Sequence, residues 1–235
     1  YGLPIRKGFW STDSLPGMPK TNVKSKQAWR KELELDTDLA TVLVVGGGDG
    51  MGGIVKIASS LGRKLGSGSS SPAYQMVVVC GSNAEAKAEL SKIDYGPGVK
   101  VQVQGFVNNM DEWMRASDAL VTKAGPGTIA EASICGLPCM LCFSHRNIPL
   151  SRPGQEEGNV PYVEDAGFGT YSGDPDVIAD TVTSWLASPQ MLEKMQTAAK
   201  VASRPQATLD IAKDVAAIVF EHKEKQADKE LVRVR

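Results

Sequence analysis

A short apolar run at residues 41–45 leads directly into Gly46-Gly47-Gly48-Asp49-Gly50-Met51-Gly52-Gly53, after which residues 54–65 repeat apolar positions at helical spacing. Glycine punctuation between a β-branched run and a 3.6-residue period reads as a strand, a tight turn and a helix. The unit recurs. Further strands are predicted at residues 76–80, 99–104, 118–122 and 138–143, with helices at 83–93 and 108–115 between them. Three more helices follow, one marked by Val177, Ile178, Val182 and Leu186, then residues 192–202 and 209–220. This alternation predicts an α/β fold, a Rossmann-like doubly wound parallel sheet whose ligand lies at the C-terminal edge of its strands. Ahead of it, residues 1–25 read as extended and 25–35 as helical. From Glu221 the chain is alternately charged and is predicted to fray. The expected divisions are a linker and helix (1–36), the Rossmann-like domain (37–222) and a charged tail (223–235).

Two turns on the expected ligand edge carry chemistry. In Ala124-Gly125-Pro126-Gly127-Thr128-Ile129-Ala130-Glu131 a strand enters a glycine turn and then a helix N-terminus, where unpaired backbone N–H groups and the positive dipole end face an anion. Glu131, about one turn into that helix, directs a carboxylate back toward the same ligand and suits sugar hydroxyls better than phosphates. Gly154-Gln155-Glu156-Glu157-Gly158-Asn159 adds amides and carboxylates suited to a polyhydroxylated ring. Together these point to a nucleotide sugar. The first turn, through Gly48, Gly50 and Gly53, also fits the dinucleotide fingerprint. However, the second strand runs into Gly81-Ser82-Asn83 without the acid that would bind a nicotinamide dinucleotide's ribose.

Composition excludes little. The formal net charge of −1 gives no bulk argument for nucleic acid, although the first 31 residues hold Arg6, Lys7, Lys20, Lys24, Lys26, Arg30 and Lys31 against Asp13. That basic end reads either as a solvated linker or as a contact with anionic lipid or a partner domain. No apolar run approaches the roughly 20 residues of a membrane span, and no signal-peptide core is present. Because the chain starts at Tyr1, a fragment or processed form is expected. Cys135, Cys139 and Cys142 have the spacing of an iron–sulfur motif, but the last two fall on a predicted strand, where residues three apart face opposite sides. All four cysteines are therefore read as reduced core thiols of an intracellular or organellar protein. Asp36-Thr37-Asp38 matches a metal-binding D-x-D, yet it precedes the first strand and reads as a surface turn.

The motifs GGGDGMGG, GFVNNMDEWM, KAGPGTIAEA and PGQEEGNVPYV closely resemble those of the plant monogalactosyldiacylglycerol synthases of glycosyltransferase family 28. The resemblance runs from about Tyr1 to Glu221 and is shared more distantly with the bacterial lipid II-forming N-acetylglucosaminyltransferases. It implies the C-terminal, donor-binding half of a two-domain GT-B glycosyltransferase. Such an enzyme moves galactose from UDP-galactose to diacylglycerol with inversion and no essential metal, peripherally at the chloroplast envelope. The backbone of Gly46, Gly47, Gly48, Asp49, Gly50, Met51 and Gly52, with that of Gly125, Gly127 and Thr128, would hold the pyrophosphate. Phe106 and Val107 would meet the uracil, Glu131 the ribose, and Gln155 and Glu156 the galactose, supported by Asn159.

Catalytic groups and the diacylglycerol site are implied in an N-terminal half that this sequence lacks, so the chain alone is expected to be inactive. Its partners by resemblance are UDP-galactose and a membrane surface with anionic lipids. Residues 144–152 form a longer approach to the PGQEEGN motif than the family uses. The readings set beside this one are an N-acetylglucosaminyltransferase of the lipid II-forming type, a non-catalytic UDP-sugar-binding module and, last, a dinucleotide oxidoreductase.

Overall fold

The computed structural model describes residues 2–10, 24–46, 53–142 and 158–233. Its strands are β1 (Ala40–Val45), β2 (Tyr74–Val79), β3 (Val99–Gln104), β4 (Ala119–Lys123), β5 (Cys139–Cys142) and β6 (Gly169–Tyr171). All pair in parallel, in the order β3-β2-β1-β4-β5-β6. The strand order reverses between β1 and β4, which makes their C-terminal ends the switch point where open α/β sheets bind ligands.

Both faces of the central strands β1, β2, β4 and β5 are covered, so these are apolar almost throughout, whereas the edge strand β3 alternates valine with Lys100, Gln102 and Gln104 and is only partly buried. Along β1, Val42 and Val44 enter one core and Leu43 the other; along β2, Met76 and Val78 oppose Val77 and Val79. The first core is closed by α2 (Ile54–Ser67), α3 (Ala84–Leu90) and α7 (Pro175–Leu186). The second is closed by α4 (Met110–Ala116), α5 (Pro126–Cys135) and α6 (Asn159–Asp165), with Leu33 and Leu35 following α1 (Lys26–Glu32). Helix α8 (Pro189–Ala202) reaches both, through Leu192 on one side and Ala199 on the other. The C-terminal end of α2 sits close against the loop before β3 because Gly66 has no side chain. A Cβ there would fall 1.5 Å from the Tyr95 carbonyl oxygen.

The edge opposite the switch point is locked by charge. Asp118, just before β4, accepts from the Lys26 ammonium at 2.6 Å and the Thr41 amide at 2.8 Å, and pairs with the buried Arg30 guanidinium. Arg30 also donates to the carbonyls of Ala116 (2.9 Å) and Thr37 (3.0 Å). The basic N-terminal stretch is thus partly an internal structural element.

Two further expectations give way. Residues 2–10 contain a 3-10 turn at Lys7–Phe9, with Phe9 fully buried. The final helix, α9 (Ala207–Arg233), runs through the stretch expected to fray, because no glycine or proline interrupts the charged residues after Phe220.

Candidate functional site

Strand register brings the two turns together. Val45 stands opposite Thr122 in the β1–β4 ladder, and Lys123 opposite Cys142 in the β4–β5 ladder, so the chain leaves all three strands at about one level. Adjacent strands lie about 4.8 Å apart. Gly46 continues the β1 ladder, its amide donating to the Val79 carbonyl at 3.1 Å.

The helices that follow these strands share a property. Gly53, Gly125 and Gly158 are the N-caps of α2, α5 and α6, and none supplies a side-chain cap. By contrast Ser25, Asn83, Asp174 and Ser188 cap α1, α3, α7 and α8 with their own side chains. Asn109 of α4 also gives no side-chain cap, so the property is not confined to the helices that meet the crevice; in α5 it leaves the first-turn amides of Gly127 and Thr128 uncapped by their own N-cap residue. In α5, Pro126 occupies the first turn, where its missing N–H costs nothing. A Cβ built on Gly127 meets no atom within 4 Å, so the approach to that turn is open.

Glu131 lies one turn below Gly127 on the same face of α5, and its side chain is only 17% exposed. Burial pushes its carboxyl up; the Arg6 guanidinium draws it back, and Asp111 adds a smaller upward push. Arg6 Nε lies 3.6 Å from Glu131 Oε1. The Asn159 amide donates to the Ala124 carbonyl at 2.8 Å, tying the start of α6 to the glycine turn. Phe106, beyond the end of β3, is 74% exposed, whereas Val107 beside it packs against the second core. Thr128 and Gly125 sit in the first turn of α5 and at its cap. Gly47, Gly48, Asp49, Gly50, Met51, Gly52, Gln155, Glu156 and the 144–152 loop lie outside the described residues.

The discarded motifs have structural roles. Asp36 pairs with Lys100 at 2.8 Å and accepts from the Asp38 amide at 3.0 Å, on the sheet edge remote from the crevice. Cys139 and Cys142 point into different cores, and none of the four cysteines forms a disulfide. Where a nicotinamide site would carry its acid after β2, Asn83 instead accepts from the Ala86 amide at 2.8 Å and caps α3.

The family description "Glycosyltransferase family 28 C-terminal domain" matches residues 41–215. The chain belongs to glycosyltransferase family 28. Among its family 28 relatives it shares 42% identity over 217 residues with monogalactosyldiacylglycerol synthase 3, chloroplastic, of Arabidopsis thaliana, covering 92% of this chain and 43% of that protein. With monogalactosyldiacylglycerol synthase, chloroplastic, of Spinacia oleracea it shares 41% over 221 residues, covering 93% and 39%. The chain thus spans less than half the length of the curated relatives it matches. Acinetobacter baumannii MurG superposes with a TM-score of 0.61 at 19% identity, over 85% of this chain and 57% of that one. The C-terminal CMP-Kdo binding domain of WaaA from the same organism gives 0.54 at 14%, over 75% and 95%. The fold is accordingly one Rossmann-like half of a GT-B glycosyltransferase. Arg6, which lies 3.6 Å from Glu131, precedes the family 28 stretch in the segment expected to be a linker, and only the general basicity of that segment hints at it.

Proposed function

We propose that this chain is the donor-binding half of an inverting galactosyltransferase that moves galactose from UDP-galactose to the sn-3 hydroxyl of diacylglycerol, at the chloroplast envelope. The observation that carries the reading is the half-buried Glu131 carboxylate, one turn from an uncapped glycine turn at the β1/β4 switch point. A dianionic pyrophosphate suits the first-turn amides of Gly127 and Thr128; the Gly125 amide instead donates to the Lys123 carbonyl at 2.8 Å and that of Gly46 to Val79, and the family resemblance adds the backbone of residues 47–52 to the proposed cradle. Glu131 suits the two ribose hydroxyls that lie beyond it.

Departure of UDP leaves negative charge on the β-phosphate. Helix N-termini aimed at that charge before reaction stabilise it without rearrangement, which is why no essential metal is proposed. Phe106 offers an exposed ring for the uracil, and Asn159 ties the start of α6 to the Gly125 turn; Gln155 and Glu156 are assigned to the galactose by the family resemblance. The similarity to synthases named for monogalactosyldiacylglycerol supports galactose as the sugar and a diacylglycerol acceptor bound by the other half. Among the described residues no helix is long and apolar enough to cross a membrane. Peripheral contact, aided by anionic lipid, is the proposed mode of membrane association.

Calorimetry in EDTA with UDP, UDP-galactose, UDP-N-acetylglucosamine and NAD tests this directly. UDP binding that galactose improves is the expected result. Preference for the N-acetylglucosamine donor would transfer the chain to the bacterial type of activity, and NAD binding without UDP would overturn the site.

A further inference from the structure

Arg6 is anchored on both sides. The Ile5 amide donates to Thr208 Oγ1 at 3.1 Å, that hydroxyl lies 3.3 Å from the Ile5 carbonyl, and Trp10 Nε1 donates to the same carbonyl at 2.8 Å. On the other side Phe9 is fully buried, and Arg115 Nη2 reaches the Gly8 carbonyl at 3.4 Å. Between these anchors the Arg6 guanidinium lies 5.2 Å over the Phe9 ring, with Nε 3.6 Å from Glu131. An ordinary surface pair is worth little because both side chains must be immobilised to form it. Here the segment is fixed from both ends and the guanidinium rests on a buried ring, so most of that ordering precedes the contact.

We propose that Arg6 is a positioning residue of the nucleotide site, holding the Glu131 carboxylate ionised and aimed so that both its oxygens accept from the ribose hydroxyls. The inference rests on the proposed role of Glu131. The charged groups that act on Glu131 come from two elements, Arg6 from the N-terminal segment and Asp111 from α4, while Glu131 in turn acts on Cys135 of α5. Burial pushes the Cys135 thiol up to about 12, so it stays neutral. Asp111 opposes ionisation, and Arg115 acts on Cys135 and the Gly8 carbonyl. Arg6 is the cation set against the burial of Glu131. A protonated carboxyl would turn one acceptor into a donor and lose a ribose partner.

The test uses Arg6→Gln and Arg6→Lys in the 235-residue chain, with two readouts. Carboxyl NMR follows the Glu131 titration without ligand, and calorimetry follows UDP affinity from about pH 5.5 to pH 8.5. Arg6→Gln is expected to move the titration upward and Arg6→Lys to restore most of it. The UDP Kd of Arg6→Gln should rise at the acid end, where the less favoured carboxylate is protonated, and return to within about twofold of the unaltered chain at the alkaline end. In a Glu131→Gln background Arg6→Gln should change affinity at no pH.

An unmoved Glu131 titration overturns the proposal. So does an equal loss of affinity at every pH, which would mean that Arg6 touches the nucleotide itself or only supports the fold. If the titration moves but the unaltered chain binds no UDP, the nucleotide reading falls, and the pair is reduced to a structural ion pair.

Discussion

Asn159 and Ala124 belong to different crossover units, yet the Asn159 side-chain amide donates to the Ala124 carbonyl at 2.8 Å and fixes α6 against the Gly125-Pro126-Gly127 turn. Asn159→Ala leaves that carbonyl without its partner and frees the start of α6. A loss of about 1–2 kcal/mol is expected, the range for one partly buried hydrogen bond whose acceptor is abandoned. Urea unfolding measures it; an unchanged midpoint would mean that the bond contributes nothing to the fold.

Glu131 carries two opposed expectations. Glu131→Ala should weaken UDP binding by ~1–3 kcal/mol, as for hydrogen bonds to a charged acceptor in a desolvated site. Calorimetry reads this directly, and unaltered affinity would remove the residue from the site. Without ligand, burial raises its carboxyl above the ordinary value. The folded chain then holds more protons than the unfolded one, so stability is fully present below the unfolded pKa and declines as pH rises through the folded pKa. Glu131→Gln should therefore raise the melting temperature at about pH 8 and leave it nearly unchanged at about pH 3. A melting temperature lowered at both would contradict the burial penalty.

Asp118 should matter to the fold and not to the ligand. Asp118→Asn removes the carboxylate from the buried Arg30 and from Lys26, at the edge of the sheet remote from the crevice. Abandoning a buried charge costs about 3–5 kcal/mol, read from denaturant unfolding, while UDP affinity of the folded fraction stays as before. A change in affinity without loss of stability would place Asp118 in contact with the site.

Cys139 is fully buried, and burial pushes its thiol up to about 12. Since the thiolate is the nucleophile, iodoacetamide at about pH 8 should leave Cys139 unmodified in the folded chain and label it after denaturation. Mass spectrometry of tryptic fragments distinguishes the two states, and prompt labelling of the folded chain would show that the second core opens readily.

The parts legible in sequence were those with a local cause. β1 to β5 fall within two residues of their expected spans because β1, β2, β4 and β5 are largely apolar runs and β3 alternates valine with polar residues, each bounded by glycine, proline or polar residues, and β3 matches at both ends. The Gly125 turn and the inward carboxylate at Glu131 could be read from spacing along one helix. What escaped had no such cause. β6 is the three residues Gly169–Tyr171, none fully buried, and α6 is short with Pro161 in its first turn, so neither shows a period. The contact between Arg6 and Glu131, like that between Ile5 and Thr208, joins residues far apart in the chain and leaves no mark on the sequence around either one.

The pairing of Val42 with Ala119 has a kinetic meaning. β2, β3 and the helices between them must all emerge before β1 meets β4, so closure of that long loop falls on the seam where the crevice lies. The ligand site is thus the join between the two halves of the sheet and forms only when they meet. A molecule that grips both glycine turns clasps those halves together, adding its own binding free energy to a contact that joins residues far apart in the chain.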